Sequence, residues 1–263
     1  MKGSLTHQAI IRKGAWSDAF LVHNLERGNT FFRKIFHYAN IEVVEREFET
    51  AYIAWNIGVP TPKPLKIGFS SSLSKYYVDF QYVELKNDII LDNHFSTQLI
   101  NIIRMMKRIN LNETHLRFSW NKNLQEHINA FDVFLKSNQI NSENINLVYE
   151  AKNKVLNASP INFIHGDLGI HNIGNTFNKL ICFDFQSSCY GPYEWDIGYF
   201  AGCLNPSELL CFEKYITLHN IWYALFVSGL KIGRKIIRGA DLKKSNQNFL
   251  DWVSYVKKAQ NLE

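Results

Sequence analysis

The stretch FIHGDLGIHNIG, residues 163–174, places His165, Asp167, His171 and Asn172 between an apolar run and a glycine. This pattern is typical of a short strand that leads into a polar loop. Two kinds of chemistry suit such a loop. The two histidines and the aspartate can be metal ligands, for example of zinc, or the aspartate can act as a base beside a divalent-ion ligand in phosphate chemistry.

A second acidic position favours the phosphate chemistry. Asp184 follows in LICFDFQSS, residues 180–188. Mg²⁺ prefers oxygen ligands, and a carboxamide from Asn172 together with a carboxylate from Asp184 would supply two of them. Asp167 would then stay free to orient or deprotonate an incoming hydroxyl group. Zinc prefers nitrogen and sulfur ligands, and the loop itself contains no cysteine.

The composition is that of a globular protein. The 263 residues are 46% hydrophobic, 14% aromatic and 20% charged, which suffices for one compact unit or two unequal lobes. The formal net charge of +5 is too small to indicate a nucleic-acid partner, and it disfavours a strongly cationic ligand.

The same sequence predicts a cytoplasmic protein. Cys182, Cys189, Cys203 and Cys211 form no C-x-x-C pair and lie among apolar residues, where thiols pack as small hydrophobic groups. No charged-then-apolar leader opens the chain, and the longest apolar run, IWYALFVSGL at 221–230, is too short to span a bilayer. We therefore expect a reducing environment and no membrane span.

The first part of the chain, residues 1–85, predicts a small β-rich lobe. Strand-forming segments surround one amphipathic helical pattern, EVVEREFETAYIAWNIG at 42–58, and the proline-rich turn VPTPKPL follows it. The strand candidates are AFLVHN (19–24), NTFFRKIF (29–36), PLKIGF and KYYVDFQYVEL (75–85).

The remainder, residues 86–263, predicts a larger and mainly helical lobe. Apolar residues recur at helical spacing in most of its segments, and a strand-rich region at 161–186 interrupts them. The helix candidates are 96–109, 122–137, 142–157, the long pattern SELLCFEKYITLHNIWYALFV, and NFLDWVSYVKKA. The fold class expected from this order of elements is α+β.

Three motifs together resemble the aminoglycoside phosphotransferase and choline kinase family. They are HGD-x-x-x-x-N at 165–172, the apolar strand that ends in Asp184–Phe185, and GPYEWDIGYF at 191–200. The resemblance implies a bilobal protein-kinase-like fold. It also implies that ATP and Mg²⁺ are the cofactors and that the γ-phosphoryl group moves to a hydroxyl of a small molecule.

The resemblance assigns roles to the residues of these motifs. Asp167 is implied to be the catalytic residue, and Asn172 and Asp184 are implied to be the metal ligands. His165 and Asp196 are expected to shape the loop without reacting themselves.

The resemblance also requires a lysine on a strand, which binds the nucleotide phosphates, and a helix glutamate that pairs with it. Lys34 in FFRKIF suits the first role, while Arg33 beside it would point to the opposite face of the strand. Glu47 is the expected partner, and Glu45 and Glu49 remain alternatives.

Two further segments complete the implied nucleotide site. GAWSDAF suits the hairpin that covers the phosphates, with Gly14 for a tight turn and Ser17 as a donor. Tyr82, Val83 and Glu84 stand where the resemblance places the segment between the lobes, whose backbone groups bind adenine.

The basic segment KIGRKIIRGADLKKS, residues 231–245, bears on the acceptor. Asp241 is its only acid, and the segment is either a solvated helix end or a border of the acceptor site. In the second case it favours a neutral or anionic acceptor, such as a sugar or a phosphorylated glycan, over a polycationic aminoglycoside. Choline would need an aromatic cage. The aromatic residues that could form one, or simply build the core, are Tyr190, Tyr193, Trp195, Tyr199, Trp222 and Tyr223.

Several functions therefore stay open beside a kinase of neutral or anionic small molecules. An aminoglycoside or choline kinase is the first alternative. A protein kinase would use the same loop, although no activation segment with A-P-E follows Asp184. A catalytically silent nucleotide-binding module is another, although every position that the resemblance requires for catalysis is filled.

Overall fold

The computed structural model describes residues 6–13, 16–26, 28–38, 40–86, 89–110, 120–137, 140–177 and 179–260. The chain forms two compact units. One unit contains Met1–Asp88 and Gly174–Gln186, and the other contains Ile89–Ile173 and Ser187–Glu263. The first unit thus includes residues 174–186. The division predicted from the sequence, into residues 1–85 and 86–263, places this segment in the helical lobe.

Nine strands occur in the described residues: β1 (Thr6–Lys13), β2 (Ser17–Asn24), β3 (Asn29–Phe36), β4 (Pro64–Ser70), β5 (Lys75–Gln81), β6 (Asn162–Ile164), β7 (Ile173–Asn175), β8 (Leu180–Cys182) and β9 (Cys189–Gly191). The seven α-helices of the same residues are α1 (Ile41–Asn56), α2 (Asn93–Met106), α3 (Trp120–Leu135), α4 (Ile145–Leu156), α5 (Glu194–Gly202), α6 (Leu218–Ile237) and α7 (Lys243–Gln260). Helices of the 3₁₀ type cover Ser142–Asn144, Ile170–Asn172, Phe185–Ser187 and Pro206–Tyr215.

The β-rich unit is built on one antiparallel sheet. Its five strands are ordered β1-β2-β3-β5-β4, and α1 connects β3 to β4. The strands predicted from aromatic and β-branched residues, β2 to β5, are confirmed. β1 is not predicted from the sequence, and it lies at the edge of the sheet, where it pairs with β2 from Thr6 opposite Asn24 to Lys13 opposite Asp18.

Helix α1 packs on one face of this sheet. It begins after Asn40, whose side chain accepts a hydrogen bond from the backbone N–H three residues later. Its apolar side chains recur at helical spacing and therefore share one face. Val44 on that face is buried against Phe36 of β3 and Val78 of β5, and burial of side chains of this size contributes about 1.5–3 kcal/mol each. This core holds α1 against the strand that carries Lys34.

The later segment of the β-rich unit is attached by backbone hydrogen bonds. β7 and β8 pair with each other as a two-stranded sheet. The N–H of Cys182 donates to the carbonyl of Pro60 at 2.9 Å, and the N–H of Lys86 donates to the carbonyl of Asn175 at 2.7 Å. Asp184, two residues beyond β8, is thereby held in the same unit as the five-stranded sheet.

Helix α6 is the centre of the helical unit. Its residues 220–230 are all buried, and it packs against α3, α4, α5 and α7. Glycines allow the closest approaches between helices. A Cβ atom on Gly202 of α5 would lie 2.7 Å from the carbonyl oxygen of Ala224, and one on Gly233 of α6 would overlap the carbonyl oxygen of Ala130 in α3. The separations of α3, α5 and α6 therefore depend on the absence of side chains at these crossings.

The pattern SELLCFEKYITLHNIWYALFV, predicted as one helix, is divided in two. Residues Pro206–Tyr215 form a 3₁₀ helix, and α6 begins only at Leu218. Asn205 caps the first helix and Thr217 caps the second, while Ile216 between them is extended. None of the helices in the described part of the chain is long and apolar enough to cross a membrane.

Replacing Gly233 with alanine should lower the free energy of unfolding by about 1–3 kcal/mol, because the added methyl group must displace the backbone of Ala130. Chemical denaturation measures this change. Ile237→Ala at the end of the same helix is the control, because this side chain is 62% exposed and its loss should cost less than about 0.5 kcal/mol. Wild-type stability of Gly233→Ala would contradict the close packing of α6 on α3.

Candidate active site

The loop that follows β6 is fixed by a buried carboxylate. Asp196 of α5 accepts hydrogen bonds from the backbone N–H groups of His165 at 2.8 Å and Gly166 at 3.0 Å. The indole N–H of Trp195 donates to the carbonyl of Gly166 at 2.9 Å. Gly166 has a φ of +82°, and a Cβ atom there would overlap the carbonyl oxygen of Ser187. The turn therefore requires glycine, and Asp196 has the structural position expected from the sequence.

Asp167 follows this turn directly, and its carboxylate is held from within the loop. Nδ2 of Asn172 donates to the backbone carbonyl of Asp167 at 2.9 Å and to Oδ2 of the same residue at 3.2 Å. Because the amide NH₂ of Asn172 is committed to Asp167, its Oδ1 is the atom that can face a cation. Nε2 of His171 lies 3.7 Å from Oδ2 of Asp167.

A chain of hydrogen bonds connects Asp167 to three helices. The hydroxyl of Tyr199 on α5 hydrogen-bonds Asp167, and it accepts a bond of 3.1 Å from the guanidinium of Arg234 on α6. A second nitrogen of Arg234 lies 3.1 Å from Nδ1 of His127 on α3. Since arginine can only donate, this Nδ1 is the acceptor. Burial and the neighbouring Arg234 lower the pKa of His127 to about 3, so its ring is neutral.

The surroundings keep Asp167 ionised. Burial favours the neutral carboxyl group, but the interactions with His171 and Tyr199 outweigh it. Together with the positive charge of Arg234, they hold the pKa of Asp167 well below its ordinary value. The group is therefore a carboxylate at neutral pH, as a residue that orients or deprotonates a hydroxyl must be.

In the β-rich unit, Lys34 of β3 binds two carboxylates. Its Nζ lies 2.6 Å from Oε2 of Glu47 on α1 and 2.8 Å from Oδ1 of Asp184. The side chain of Glu47 is 1% exposed and that of Asp184 is 29% exposed. Burial disfavours the charge on Lys34, but the two carboxylates outweigh it and raise the pKa of Lys34. The ammonium group is thus positive and held between a buried anchor and a more accessible carboxylate.

The backbone at Asp184 adopts an uncommon conformation. Its φ of +68° lies in the left-handed region, which aspartate tolerates better than bulky residues do. A 3₁₀ helix, Phe185–Ser187, begins immediately afterwards, and Arg46 of α1 donates to the carbonyl of Gln186. The sharp turn after β8 therefore places the Asp184 carboxylate at Lys34.

Residues near Lys34 and Glu47 in the sequence either face solvent or form a different ion pair. Glu45 and Glu49, the alternative partners, are exposed on α1. Arg33 makes a bidentate ion pair with Asp79 of β5, at 2.7 and 3.0 Å. Because side chains alternate along a strand, this pair lies on the opposite face of β3 from the lysine, as expected.

The hairpin expected to cover the phosphates is only partly described. Gly14 lies outside the described residues. Ser17 begins β2, and the pairing of Lys13 with Asp18 shows that β1 and β2 form the two arms of a hairpin.

The segment expected to bind adenine follows β5. Tyr82, Val83 and Glu84 have no strand pairing. In the part of the chain that the structure describes, their backbone groups form no hydrogen bond with other backbone groups. The ring of Tyr82 packs against that of Phe32, with centroids 5.3 Å apart. A side-chain contact therefore helps to position the segment.

Most of the aromatic residues considered for a choline cage lie in the core of the helical unit. Trp195, Tyr199, Trp222 and Tyr223 are each at most 3% exposed. The ring of Trp195 stacks on that of His127, with the ring centroids 5.0 Å apart.

Among the described residues, no group of three or more His, Cys, Asp or Glu side chains is arranged to hold a metal ion.

The basic segment 231–245 divides between solvent and the interior. It covers the end of α6 and the start of α7. Its exposed cations are Arg238, Lys243 and Lys244. Arg234 joins the hydrogen-bonded chain at Asp167, and Lys231 hydrogen-bonds the thiol of Cys203. One part of the segment is therefore a solvated helix end, and another part, Lys231 and Arg234, contacts residues of α5 and the residue that follows it.

The supports of Asp167 on the helices are not predicted from the sequence. His127, Tyr199 and Arg234 lie far apart along the chain and meet only because α3, α5 and α6 pack closely. One signal was present: Arg234 continues the apolar face of a helix whose residues 220–230 are all buried. A charge at such a position needs polar partners inside the protein.

Comparison with known proteins identifies the family of this chain. A family model described as "Phosphotransferase enzyme family" (APH) matches residues 7–210, and the chain belongs to this family. A comparison with curated protein sequences finds no match.

Solved structures share the fold at low sequence identity. An amicoumacin kinase in complex with AMP-PNP and Ca²⁺ superposes with a TM-score of 0.65 at 12% identity, covering 96% of this chain and 88% of that one. A Plasmodium vivax ethanolamine kinase gives 0.63 at 16% identity, with 95% and 82% covered. A putative fructosamine-3-kinase from Haemophilus somnus gives 0.65 at 14%, with 96% and 92% covered. The predicted protein-kinase-like fold class is confirmed.

Asp196→Ala should lower the free energy of unfolding by about 2–5 kcal/mol, because two buried backbone N–H groups lose their acceptor. Denaturation at neutral pH measures the loss. Asp132→Ala is the matched control: this carboxylate is 36% exposed and pairs with Lys152, so its removal should cost less than about 1 kcal/mol. Similar losses in the two variants would show that Asp196 does not organise the loop.

Proposed function

We propose that this member of the phosphotransferase enzyme family transfers the γ-phosphoryl group of ATP, with Mg²⁺, to a hydroxyl of a small molecule. The observation that carries the proposal is the binding of Lys34 by the buried Glu47 and the more accessible Asp184. A buried ammonium between two carboxylates is suited to receive phosphate oxygens, which can replace one of the carboxylates.

Lys34 would bind the nucleotide phosphates. Glu47 keeps the ammonium group in place through a bond of 2.6 Å within the buried core of the unit. The available backbone of Tyr82, Val83 and Glu84 suits adenine, whose edge carries both donors and acceptors. Ser17 and Gly14 are proposed to contribute to the phosphate-covering hairpin, as the sequence predicts.

Asn172 and Asp184 are the proposed ligands of Mg²⁺. Asn172 offers Oδ1, since its NH₂ group is bonded to Asp167. Asp184 offers a partly exposed carboxylate. Two hard oxygen donors fit Mg²⁺, which usually takes one or two protein ligands and completes its shell with phosphates and water. When bound, Mg²⁺ supplies charge neutralisation to the phosphoryl group.

Asp167 would orient the acceptor hydroxyl and receive its proton. Its carboxylate is ionised and is held by Asn172 and Tyr199, so its direction is set before the acceptor arrives. Positioning and charge neutralisation are the large contributions to phosphoryl transfer, which is why few reacting side chains suffice.

The acceptor is proposed to be neutral or anionic, for example a sugar or glycan-like compound. The net charge of +5 and the inward position of Lys231 and Arg234 support this preference. Known members of the fold act on varied acceptors, so an aminoglycoside or choline kinase is the alternative.

Asp167→Asn should lower kcat by about 10²–10⁴-fold, because the amide cannot accept the proton of the hydroxyl. ATP affinity should stay close to that of the wild type, since the phosphate and metal ligands are unchanged. Steady-state kinetics and nucleotide titration measure the two quantities. Wild-type turnover in this variant would remove Asp167 from the mechanism.

Asp184→Ala should abolish the part of ATP affinity that depends on Mg²⁺, and Asn172→Ala should weaken it, because each removes an oxygen ligand. Calorimetric titrations of ATP with and without Mg²⁺ separate this part. Asp241→Ala, which removes an exposed carboxylate, is the control. Unchanged Mg²⁺ dependence in Asp184→Ala would contradict the ligand assignment.

A panel of acceptors tests the proposed preference. The value of kcat/KM should be low for kanamycin-type aminoglycosides and choline and higher for neutral or anionic sugars, because like charges repel in a partly desolvated site. Efficient phosphorylation of an aminoglycoside would refute the preference while leaving phosphoryl transfer itself intact.

A further inference from the structure

Two cations of α6 lie beside the catalytic loop with neutral partners. Arg234 donates to the hydroxyl of Tyr199 and to Nδ1 of His127, each at 3.1 Å. Lys231, one turn earlier, hydrogen-bonds the thiol of Cys203. Within the residues that the structure describes, neither cation forms an ion pair with a carboxylate.

The partners of these cations carry no charge at neutral pH. Burial raises the pKa of the Cys203 thiol, and it raises the pKa of the Tyr199 hydroxyl well above its ordinary value. The pKa of His127 is lowered to about 3 by burial and by Arg234. The direct hydrogen-bond partners of the two positive charges are therefore neutral groups, whereas cations inside proteins are usually paired with carboxylates.

Both cations have a partner beside the loop that carries Asp167. Tyr199 hydrogen-bonds both Asp167 and Arg234. Cys203, the partner of Lys231, lies near the same loop, because a Cβ atom added to Gly169 would be 3.2 Å from the Cys203 sulfur.

Asp167, whose side chain is 25% exposed, and the exposed Glu126 both act on the charge of Arg234. Arg234 has five N–H donors, and two nitrogens are engaged by Tyr199 and His127. The remaining donors suit a planar oxyanion.

We propose that Lys231 and Arg234 form an anion-binding subsite for the acceptor, which is then a hydroxyl compound that also carries a carboxylate or a phosphate group. The inference rests on the proposed function, since it takes Asp167 to mark the position of the reacting hydroxyl. The close packing at Gly233 holds the neighbouring Arg234 in place, so the subsite exists before the acceptor binds. A cationic acceptor would meet two fixed positive charges.

Binding of simple oxyanions tests the subsite without turnover. Malonate and glycerol 3-phosphate are titrated calorimetrically into the full chain saturated with AMP-PNP and Mg²⁺, so that the nucleotide phosphate positions are filled. At least one probe should bind saturably. Lys231→Gln should weaken its binding by about tenfold, the loss of one charge-assisted hydrogen bond, and Lys231→Arg should retain it.

Lys235→Gln is the matched control. It removes the same charge from the same helix, at a lysine whose Nζ lies 3.2 Å from the carbonyl of Asp241, and it should leave binding unchanged. Arg234→Gln is the second variant, with the same expected loss. Tighter binding of malonate would identify a carboxylate acceptor, and tighter binding of glycerol 3-phosphate a phosphate ester.

The absence of saturable binding by either probe would overturn the proposal, as would equal weakening in Lys231→Gln and Lys235→Gln. Failure of the subsite proposal can be distinguished from failure of the proposed kinase function. Probe binding without phosphoryl transfer to any acceptor would contradict the kinase function alone. Phosphoryl transfer without probe binding would contradict the subsite alone.

Discussion

The buried carboxylate of Asp196 is the group on which the geometry of the loop that carries Asp167 depends. It is fully buried, and it accepts hydrogen bonds from two successive backbone N–H groups, those of His165 and Gly166. Through it, the loop is attached to α5, which packs on α6 where Gly202 permits close approach. The position of Asp167 is therefore fixed by the packing of the helical core, and the proposed role of Asp167 requires such a fixed position.

In the β-rich unit, the carboxylates of Glu47 and Asp184 keep Lys34 charged although most of its side chain is buried. Glu47 is buried with Lys34 and holds it firmly, whereas Asp184 is partly exposed and sits on a strained turn. In the proposed reaction, Lys34 would bind phosphate oxygens in place of Asp184, and the carboxylate of Asp184 would then be able to hold the metal ion. One carboxylate is thus an anchor, and the other can exchange between partners.

Local chemistry made the loop and the lysine pair predictable, whereas long-range packing did not. The spacing of Asp167, Asn172 and Asp184, and strand alternation at Lys34, can be recognised in the sequence because the chain places these residues at fixed offsets. The edge strand β1 depends on pairing with one neighbour, and the contacts of Arg234 depend on how three helices cross. Such contacts follow from the glycines at the crossings only once the fold is known.

The most direct test of the central claim follows phosphorus itself. The wild-type chain is incubated with ATP, Mg²⁺ and a mixture of neutral and anionic hydroxyl compounds, and ³¹P nuclear magnetic resonance records the products. The account predicts that the signal of the γ-phosphate falls as that of a new phosphomonoester rises with ADP in equal amount. Unchanged ATP, or conversion to ADP and inorganic phosphate alone, would contradict it.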